Sequence, residues 1–358
     1  MALPIGTSYE AMNALLVGEI PTGAGQWLYE PKWDGFRCLA FRDGGRVDLQ
    51  SKSGQPLARY FPEVVESLSR LKPDRFVLDG ELVVPEGDAL SFDALLQRIH
   101  PSDSRIRKLA KETPAAFVLF DLLVDAQGRS LVDKPLADRR KALEAFAREH
   151  LERHASIFLS PATGDVRTAR RWLSGAGAAL DGVIAKRLEL PYQSGNREGM
   201  VKVKKMRTAD CVVGGFRYAS KSSGKVRPVG SLLLGLYEDD GLLHHVGYCS
   251  SFKAAERKKL TEMLEPLIRA PGFTGRAPGG PSRWSTERSG EWEPLATKLV
   301  VEVQYDHFSG GRFRHGTKFL RWRPDKAPRQ CLMSQVAQES SVNPLRLLSS
   351  RHASRMAG

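Results

Sequence analysis

"YEPKWDGFR", residues 29–37, sets a lysine in a short run that mixes large aromatic and charged side chains. Lys32 is followed by a tryptophan, then Asp34, Gly35, Phe36 and Arg37. Read as structure, K-x-D-G is a surface turn, because glycine lets a backbone bend and aspartate favours turns. Read as chemistry, Lys32 is a nucleophile. An amine attacks phosphorus or a carbonyl only when neutral, and an ordinary lysine is almost wholly protonated at neutral pH. Neighbouring cations or a metal favour the neutral form and so activate it. Four residues do not choose between the two readings, so the surrounding chain must.

On either side the chain alternates short apolar runs with turn signals. "FRCLAF" (36–41), "RVDLQS" (46–51) and "RFVLDGELVV" (75–84) read as strands, with "RDGG" (42–45) a hairpin turn between the first two. "PAAFVLFDLLV" (114–124) and "LDGVIAKR" (180–187) read as buried strands. Helical spacing marks "FPEVVESLSRL" (61–71), "LADRRKALEAFAREHLERH" (136–154) and "TARRWLSGAGAAL" (168–180). This is mixed α+β with antiparallel connections, not a regular βαβ series. The character changes near Thr208. "ADCVVGGFRY", "VGSLLLGLYED", "GLLHHVGYCSS" and "KLVVEVQYDHFS" are glycine-punctuated strands, interrupted by one helix at 251–268. That pattern predicts a small β-barrel of the OB type. "GRAPGGPSR" (275–283) is a loop. The expected division is therefore 1–207, 208–335, and a frayed, serine-rich tail at 336–358.

The 358 residues carry 54 Lys+Arg against 41 Asp+Glu, a net +13, which favours a polyanionic partner, nucleic acid first. The charge is clustered. Residues 197–227 hold nine Lys/Arg and two acids, and 312–326 hold six and one, with Phe216, Tyr218, Phe313, Phe319 and Trp322 interleaved. A groove that tracks a nucleic-acid backbone explains that mixture better than a solvated face. The four cysteines, at 38, 211, 249 and 331, have no CxxC spacing. His150 and His154 flank Glu152 without a third ligand, so they read as a solvated helix face. Neither zinc nor a disulfide framework is expected, which places the chain in a reducing compartment. The start lacks the layout of a signal peptide, and no apolar run approaches the ~18 residues of a membrane span. A cytoplasmic protein without membrane association is expected.

Acid–glycine pairs beside strands recur at 34–35, 79–80 and 181–182, and two of them have a lysine close by, Lys32 and Lys186. Each alone reads as a hairpin turn. Lys202 and Lys204 share one face of a strand, where they can hold a phosphate and disfavour charge on a third lysine. Asp34 could anchor a metal, and Glu81 projects near a strand end. No G-x-x-x-x-G-K-[ST] and no helix-opening G-x-G-x-x-G occurs, so a nucleotide would not be held by a P-loop or dinucleotide fold.

Taken in order, K-x-D-G-x-R (32–37), S-K-S-G (51–54), D-G-E (79–81), "FVLFD" (117–121), D-G-V-I-A-K (181–186), K-V-K (202–204) and R-x-D-K (323–326) resemble the ordered motifs of the covalent nucleotidyltransferases. That superfamily holds ATP-dependent DNA ligases, RNA ligases and capping enzymes. "EPKWDGFR", "GNREGMVKVKK" and "FLRWRPDK" most resemble the small bacterial ligases of the ligase C type. The resemblance implies a nucleotidyltransferase domain, related to the ATP-grasp fold, followed by an OB domain. It implies that Lys32 takes AMP from ATP. Glu30 would read the adenine, Phe120 would stack on it, and Glu81 would bind the ribose with Arg37 nearby. Lys186, Lys202 and Lys204 would complete the ATP/AMP site. Asp34 and Asp181 would bind Mg2+ or Mn2+; Asp181 stands where the family usually has glutamate. Lys52, where the family more often has arginine, and Arg197 would grip the 5′-phosphate of a nick. Arg321, Arg323, Asp325 and Lys326 would orient the pyrophosphate. The implied partner is nicked duplex DNA, joined in repair by a monomer at the nucleoid. An RNA ligase, a GTP-using capping enzyme, or an OB-type binding protein with an inactive first domain are the alternatives.

Overall fold

The computed structural model describes residues 2–87, 89–151, 154–175, 180–219, 227–279, 291–337 and 344–349. The runs expected as strands at 36–41, 46–51, 75–84, 114–124 and 180–187 form close to those limits, and they are joined by Leu15–Leu16, Ile157–Leu159 and, around Lys32 itself, Trp27–Trp33, which were not expected. The strands are β1 (Leu15–Leu16), β2 (Trp27–Trp33), β3 (Phe36–Asp43), β4 (Arg46–Ser51), β5 (Arg75–Val83), β6 (Ala116–Val124), β7 (Ile157–Leu159), β8 (Leu180–Arg187) and β9 (Met200–Val203). One sheet has the order β1–β9–β8–β2 and the other β4–β3–β5–β6–β7. Asp34 and Gly35 are thus the link by which the chain leaves one sheet and enters the other. The expected antiparallel pairing holds for most neighbours, but β1–β9 and β6–β7 are parallel. Every residue of β6 is buried, as a continuous apolar strand inside a covered sheet should be.

The helices in this region are α1 (Pro62–Ser69), α2 (Phe92–Gln97), α3 (Asp103–Glu112), α4 (Leu136–His150) and α5 (Val166–Gly175). In α4 the residues Leu136, Arg139, Arg140, Leu143, Phe146 and Ala147 form one buried stripe, so helical periodicity seats it against the sheet. The expected helix over 168–180 stops early: α5 ends at Gly175, Leu180 already opens β8, and 176–179 lie outside the described residues. Glu152, between the two histidines, also lies outside them. α2 and α3 were not expected; α3 buries only Ile106, too little for an apolar stripe to show in the sequence.

The three acid–glycine pairs are not three turns. Only 34–35 links two strands, while 79–80 lies inside β5 and 181–182 inside β8. What they share is crowding. A Cβ on Gly35 would sit 2.1 Å from the Leu82 carbonyl oxygen, and one on Gly80 2.6 Å from that of Val118. Gly182 has φ +143°, and its Cβ would sit 2.0 Å from the Val203 oxygen. Glycine is required wherever backbones approach this closely.

Contacts divide the chain into Met1–Lys205 with Glu339–Gly358, and Met206–Gln338. The second unit contains β10 (Arg207–Tyr218), β11 (Val229–Tyr237), β12 (Leu243–Cys249), α6 (Ala254–Leu264), β13 (Val300–Tyr305) and β14 (Lys318–Trp322). Its main sheet runs β12–β11–β10–β13–β14. The sheet curls until its edges touch. Cys249 and Thr317 form a parallel bridge, and the Thr317 amide donates to the Tyr248 carbonyl at 3.0 Å. Among the described residues a single bridge joins the two edges, with no ladder between β12 and β14.

The tail differs from expectation. A helix, α7 (Pro344–Ser349), groups with the first unit, and its Leu348 packs with Trp33 and Leu180 behind the Lys32 strand. Serine-rich composition hid that helix. Residues 338–343 and 350–358 of the expected tail, 220–226 of the basic run and 280–283 of the expected loop lie outside the described residues. No helix among the described residues is long and apolar enough to cross a membrane.

Candidate active site

Strand register places the site. On β2, Glu30 and Lys32 are two residues apart and share a face. Lys32 stands opposite Gly182 of β8, and Glu30 opposite Ile184. Ile184 in turn stands opposite Lys202 of β9. In the other sheet Arg37 of β3 pairs with Glu81 of β5. A cavity of about 640 Å³ opens between these rows. Glu30, Lys32, Lys186 and Lys202 line it from one side; Arg37, Lys52, Glu81 and Phe120 complete it. Eight expected residues, scattered over 173 positions of sequence from Glu30 to Lys202, therefore share one chamber.

Around this chamber the charges are paired. The Lys32 Nζ lies 2.6 Å from Asp181 Oδ2, and Lys204 Nζ lies 3.2 Å from the same oxygen. Glu30, 2% exposed, meets Lys186 at 2.9 Å and Arg140 at 3.5 Å, yet its Oε1 has no hydrogen bond. That oxygen is the one Arg140 Nη1 faces at 3.5 Å, a buried ion pair without a hydrogen bond, so it keeps acceptor capacity that a ligand N–H could fill. The Phe120 ring lies 4.4 Å from the Arg37 guanidinium carbon and 4.6 Å from the Lys186 ammonium. Arg37 is held in turn by a bidentate pair with Asp79, whose Oδ2 also accepts from the Tyr192 hydroxyl at 2.6 Å.

One expectation is overturned here. The lysine pair was to push Lys32 toward its neutral form. Burial does push that way, but Asp181, Glu81 and Asp34 outweigh it, and the Lys32 pKa stands above that of an ordinary lysine. Burial raises the Asp181 pKa, but Lys32 and Lys204 pull it below the usual carboxylate range. The amines pushed toward neutrality are Lys202, by burial and by Lys32 and Lys204, and Lys52, by burial and by Arg37 and Arg197. Glu81 is raised to about 7, mainly by burial, with Lys32 and Arg37 opposing.

Of the remaining expected residues, Lys204 and Asp181 join the site through Lys32. Asp34 is buried beside it and acts electrostatically on Lys32, but it does not line the cavity. Arg197 is exposed and close enough to Lys52 to shift it. Arg321, Arg323, Asp325 and Lys326 belong to the second unit, where acids hold them. Arg321 pairs with Glu302 at 2.7 Å, Arg323 with Asp325 and Asp210 at 2.8 Å, and Lys326 with Asp210 at 2.8 Å. Arg323 pulls Asp325 down to about 2.

Asp34 and Asp181 do not form a ready metal cage. Among the described residues, the group of three close His, Cys, Asp or Glu ligand atoms is Glu238, Asp240 and His244, in the second unit. Its chemistry argues against an ion there. His244 Nδ1 accepts from the Arg276 amide at 3.2 Å, so a neutral ring carries its proton on Nε2, which points at Glu238 3.9 Å away.

Sequence reasoning missed the scaffold of the site. Arg139 holds Asp121 at 2.9 Å beneath Phe120, and Arg140 reaches Glu30, both from α4. The available signal was two adjacent arginines on the apolar stripe of that helix. Ile184, Met12 and Met200 supply apolar walls that no charge pattern announces.

Comparison with known proteins agrees with this geometry. Residues 10–204 match the family profile described as "ATP dependent DNA ligase domain", and 225–326 match "ATP dependent DNA ligase C terminal region". DNA ligase C of Mycobacterium tuberculosis is 44% identical, over 96% of this chain and 98% of that protein. DNA ligase C1 of Mycolicibacterium smegmatis is 45% identical, over 94% and 96%. A solved structure described as a Lig E DNA ligase superposes with a TM-score of 0.52 at 17% identity, covering 88% of this chain and 99% of that one, which bears on the fold alone. With its lysine chamber built and both family profiles matched, the chain belongs to the ATP-dependent DNA ligase family.

Proposed function

We propose that this chain seals 3′-hydroxyl/5′-phosphate nicks in duplex DNA through an adenylate carried on Lys32, in the service of DNA repair. The observation that carries the reading is the chamber itself. It joins a lysine amine, an aromatic ring and a buried carboxylate oxygen that is ion-paired to Arg140 but makes no hydrogen bond. In this reading the adenine amino group donates to Glu30 Oε1 while Phe120 stacks on the base, once Arg37 and Lys186 give way over the ring. Glu81 takes the ribose hydroxyls. Lys202, Lys186 and Lys204 neutralise the α-phosphate.

Lys32 gives its ammonium proton to water, Nζ then attacks the α-phosphorus, the N–P bond forms as the bond to pyrophosphate breaks, and a second N–H proton leaves to water. Phosphoryl chemistry gains most from such placement of charge. AMP passes to the 5′-phosphate of the nick, gripped by Lys52 and Arg197, and the 3′-hydroxyl displaces it. Arg321, Arg323, Asp325 and Lys326 act on the departing pyrophosphate. Carboxylate oxygens suit a hard divalent cation, so Asp181, with Asp34 behind it, would hold Mg2+ or Mn2+. Bound there, the ion supplies Lewis-acid neutralisation of phosphate oxygens. This chain's own requirement is that Asp181 release Lys32, because the pair as it stands keeps the nucleophile protonated.

The test is transfer of label from α-labelled ATP to the protein, read on a denaturing gel. A band from ATP that vanishes in Lys32→Ala is expected. No band from the wild type returns the chain to a binding module, and a band from GTP alone makes it a capping enzyme.

A further inference from the structure

The second unit has its own large concavity, about 1010 Å³, at the meeting of β10, β11, β12 and α6. Arg217, Tyr218, Arg227, Tyr248 and Trp292 line it, together with Glu293. None of these residues has a role in the adenylate chemistry. We propose that this cleft binds unpaired nucleotides of a DNA strand, such as an overhang or flap beside the break, as a site separate from the ATP chamber. The proposal rests on the reading that the chain works on DNA ends.

The chemistry follows from what the cleft combines. Arg227 lies 4.9 Å from the Tyr218 ring, so one wall is a cation stacked on an aromatic face. The Tyr218 hydroxyl donates to Glu265 at 3.0 Å, which fixes that ring. Tyr248 is 43% exposed, so its ring is open to a ligand in the cleft. Arg257 is already spent, donating to the carbonyls of Val229, Gly230 and Ser250, so it braces the wall rather than offering charge. Guanidinium groups serve phosphodiesters, and exposed rings serve base faces. A duplex keeps its base faces stacked inside and shows only phosphates and groove edges to a protein. Rings set in a concave wall therefore meet a base only when it is unstacked. Glu293, close enough to act on Tyr218, argues against a free polyphosphate as the ligand. An OB-type barrel has the span for this, at roughly 4–16 nucleotides per fold.

The experiment uses the full chain and a fluorescein-labelled deoxycytidine oligomer of about eight nucleotides, followed by anisotropy. An abasic oligomer with the same phosphates and a blunt hairpin duplex serve as competitors. The labelled oligomer is expected to bind about tenfold more tightly than the abasic chain, because stacking is lost with the bases. Tyr248→Ala should weaken it by about tenfold while Tyr248→Phe keeps the affinity, since the ring and not the hydroxyl carries the contact. Arg227→Ala should weaken it and flatten its salt dependence. Abasic and base-bearing chains that bind alike, a Tyr248→Ala protein that binds normally, or a blunt duplex that displaces the oligomer mole for mole would each overturn the site. ATP labelling of the same wild-type sample separates the two claims. Labelling without oligomer binding removes the cleft alone, and oligomer binding without labelling removes the Lys32 chemistry alone.

Discussion

In each unit a single aspartate holds two cations, and the two arrangements are opposite in kind. Asp181 offers one oxygen to both Lys32 and Lys204, inside a chamber where Glu81 and Asp34 also act on the lysine. Asp210 divides its oxygens, Oδ1 to Arg323 and Oδ2 to Lys326, with Asp325 adding a second grip on Arg323. The first arrangement is crowded: two ammoniums share one acceptor oxygen, and drawing off Asp181 removes the strongest acid acting on Lys32. The second is saturated, because every strong donor there has its own acceptor. A shared oxygen ties Lys32 and Lys204 to one acceptor, whereas Asp210 gives Arg323 and Lys326 an oxygen each. In the proposed chemistry the first would serve a nucleophile and the second groups recruited for one step.

The hardest way to break the comparison is to delete the nucleophile. Lys32→Ala should reduce labelling by ATP at least ~1,000-fold, while leaving Lys204 on Asp181. Labelling that persists would mean that Lys204 or Lys202 is the acceptor. Arg323→Ala should slow lysyl-adenylate formation by about 100-fold, as loss of a charge-stabilising donor does, and should slow sealing of a pre-adenylylated nick much less. Equal losses in the two steps would mean that the Asp210 cluster only maintains the fold. Asp181→Asn sharpens the difference more gently. Lys32 loses the neighbour that holds it protonated, so the rising limb of labelling rate against pH should move to lower pH, whatever happens to the maximum. An unmoved limb would mean that Glu81 and Asp34 set the lysine's state.

The chamber was more legible than its supports, for a physical reason. Lys202 and Lys204 could be aimed by strand alternation alone, whereas Lys32, Glu81 and Phe120 were legible because each stands in a short motif whose order along the chain matches the family, Phe120 on a strand buried on both faces that shows no alternation at all. Arg139 and Arg140 lie on a helix rich in charge, and only the position of its stripe told against a solvated face. The Tyr192–Asp79 bond joins residues 113 apart, and nothing local in either announces the other. The protonation of Lys32 was misjudged because the lysine pair is obvious in K-V-K, whereas Asp181 comes within reach only when β8 pairs with β2. α7 was missed because six residues, PLRLLS, in a serine-rich stretch are too short to show a helical period.

Glu81 gives the smallest effect and the cleanest sign. Its carboxyl has an ordinary pKa of 4.5 and is raised to about 7 in the fold, chiefly by burial. Between those values the folded chain keeps a proton that the unfolded chain has already lost. Stability must therefore fall as pH rises across that window, and the loss is complete once pH passes the folded value. Glu81→Gln removes the titration while keeping the shape. Its melting temperature should be insensitive to this group, matching the wild type near pH 4.5 and exceeding it by a few degrees near pH 8, where roughly 1 kcal/mol corresponds to ~2–4 °C in a chain of this class. Parallel melting curves for the two proteins across that range would show that Lys32 and Arg37 compensate the buried charge in full. Glu81 would then be ionised before any ribose arrives, and the acids of the two units would differ less than their geometry implies.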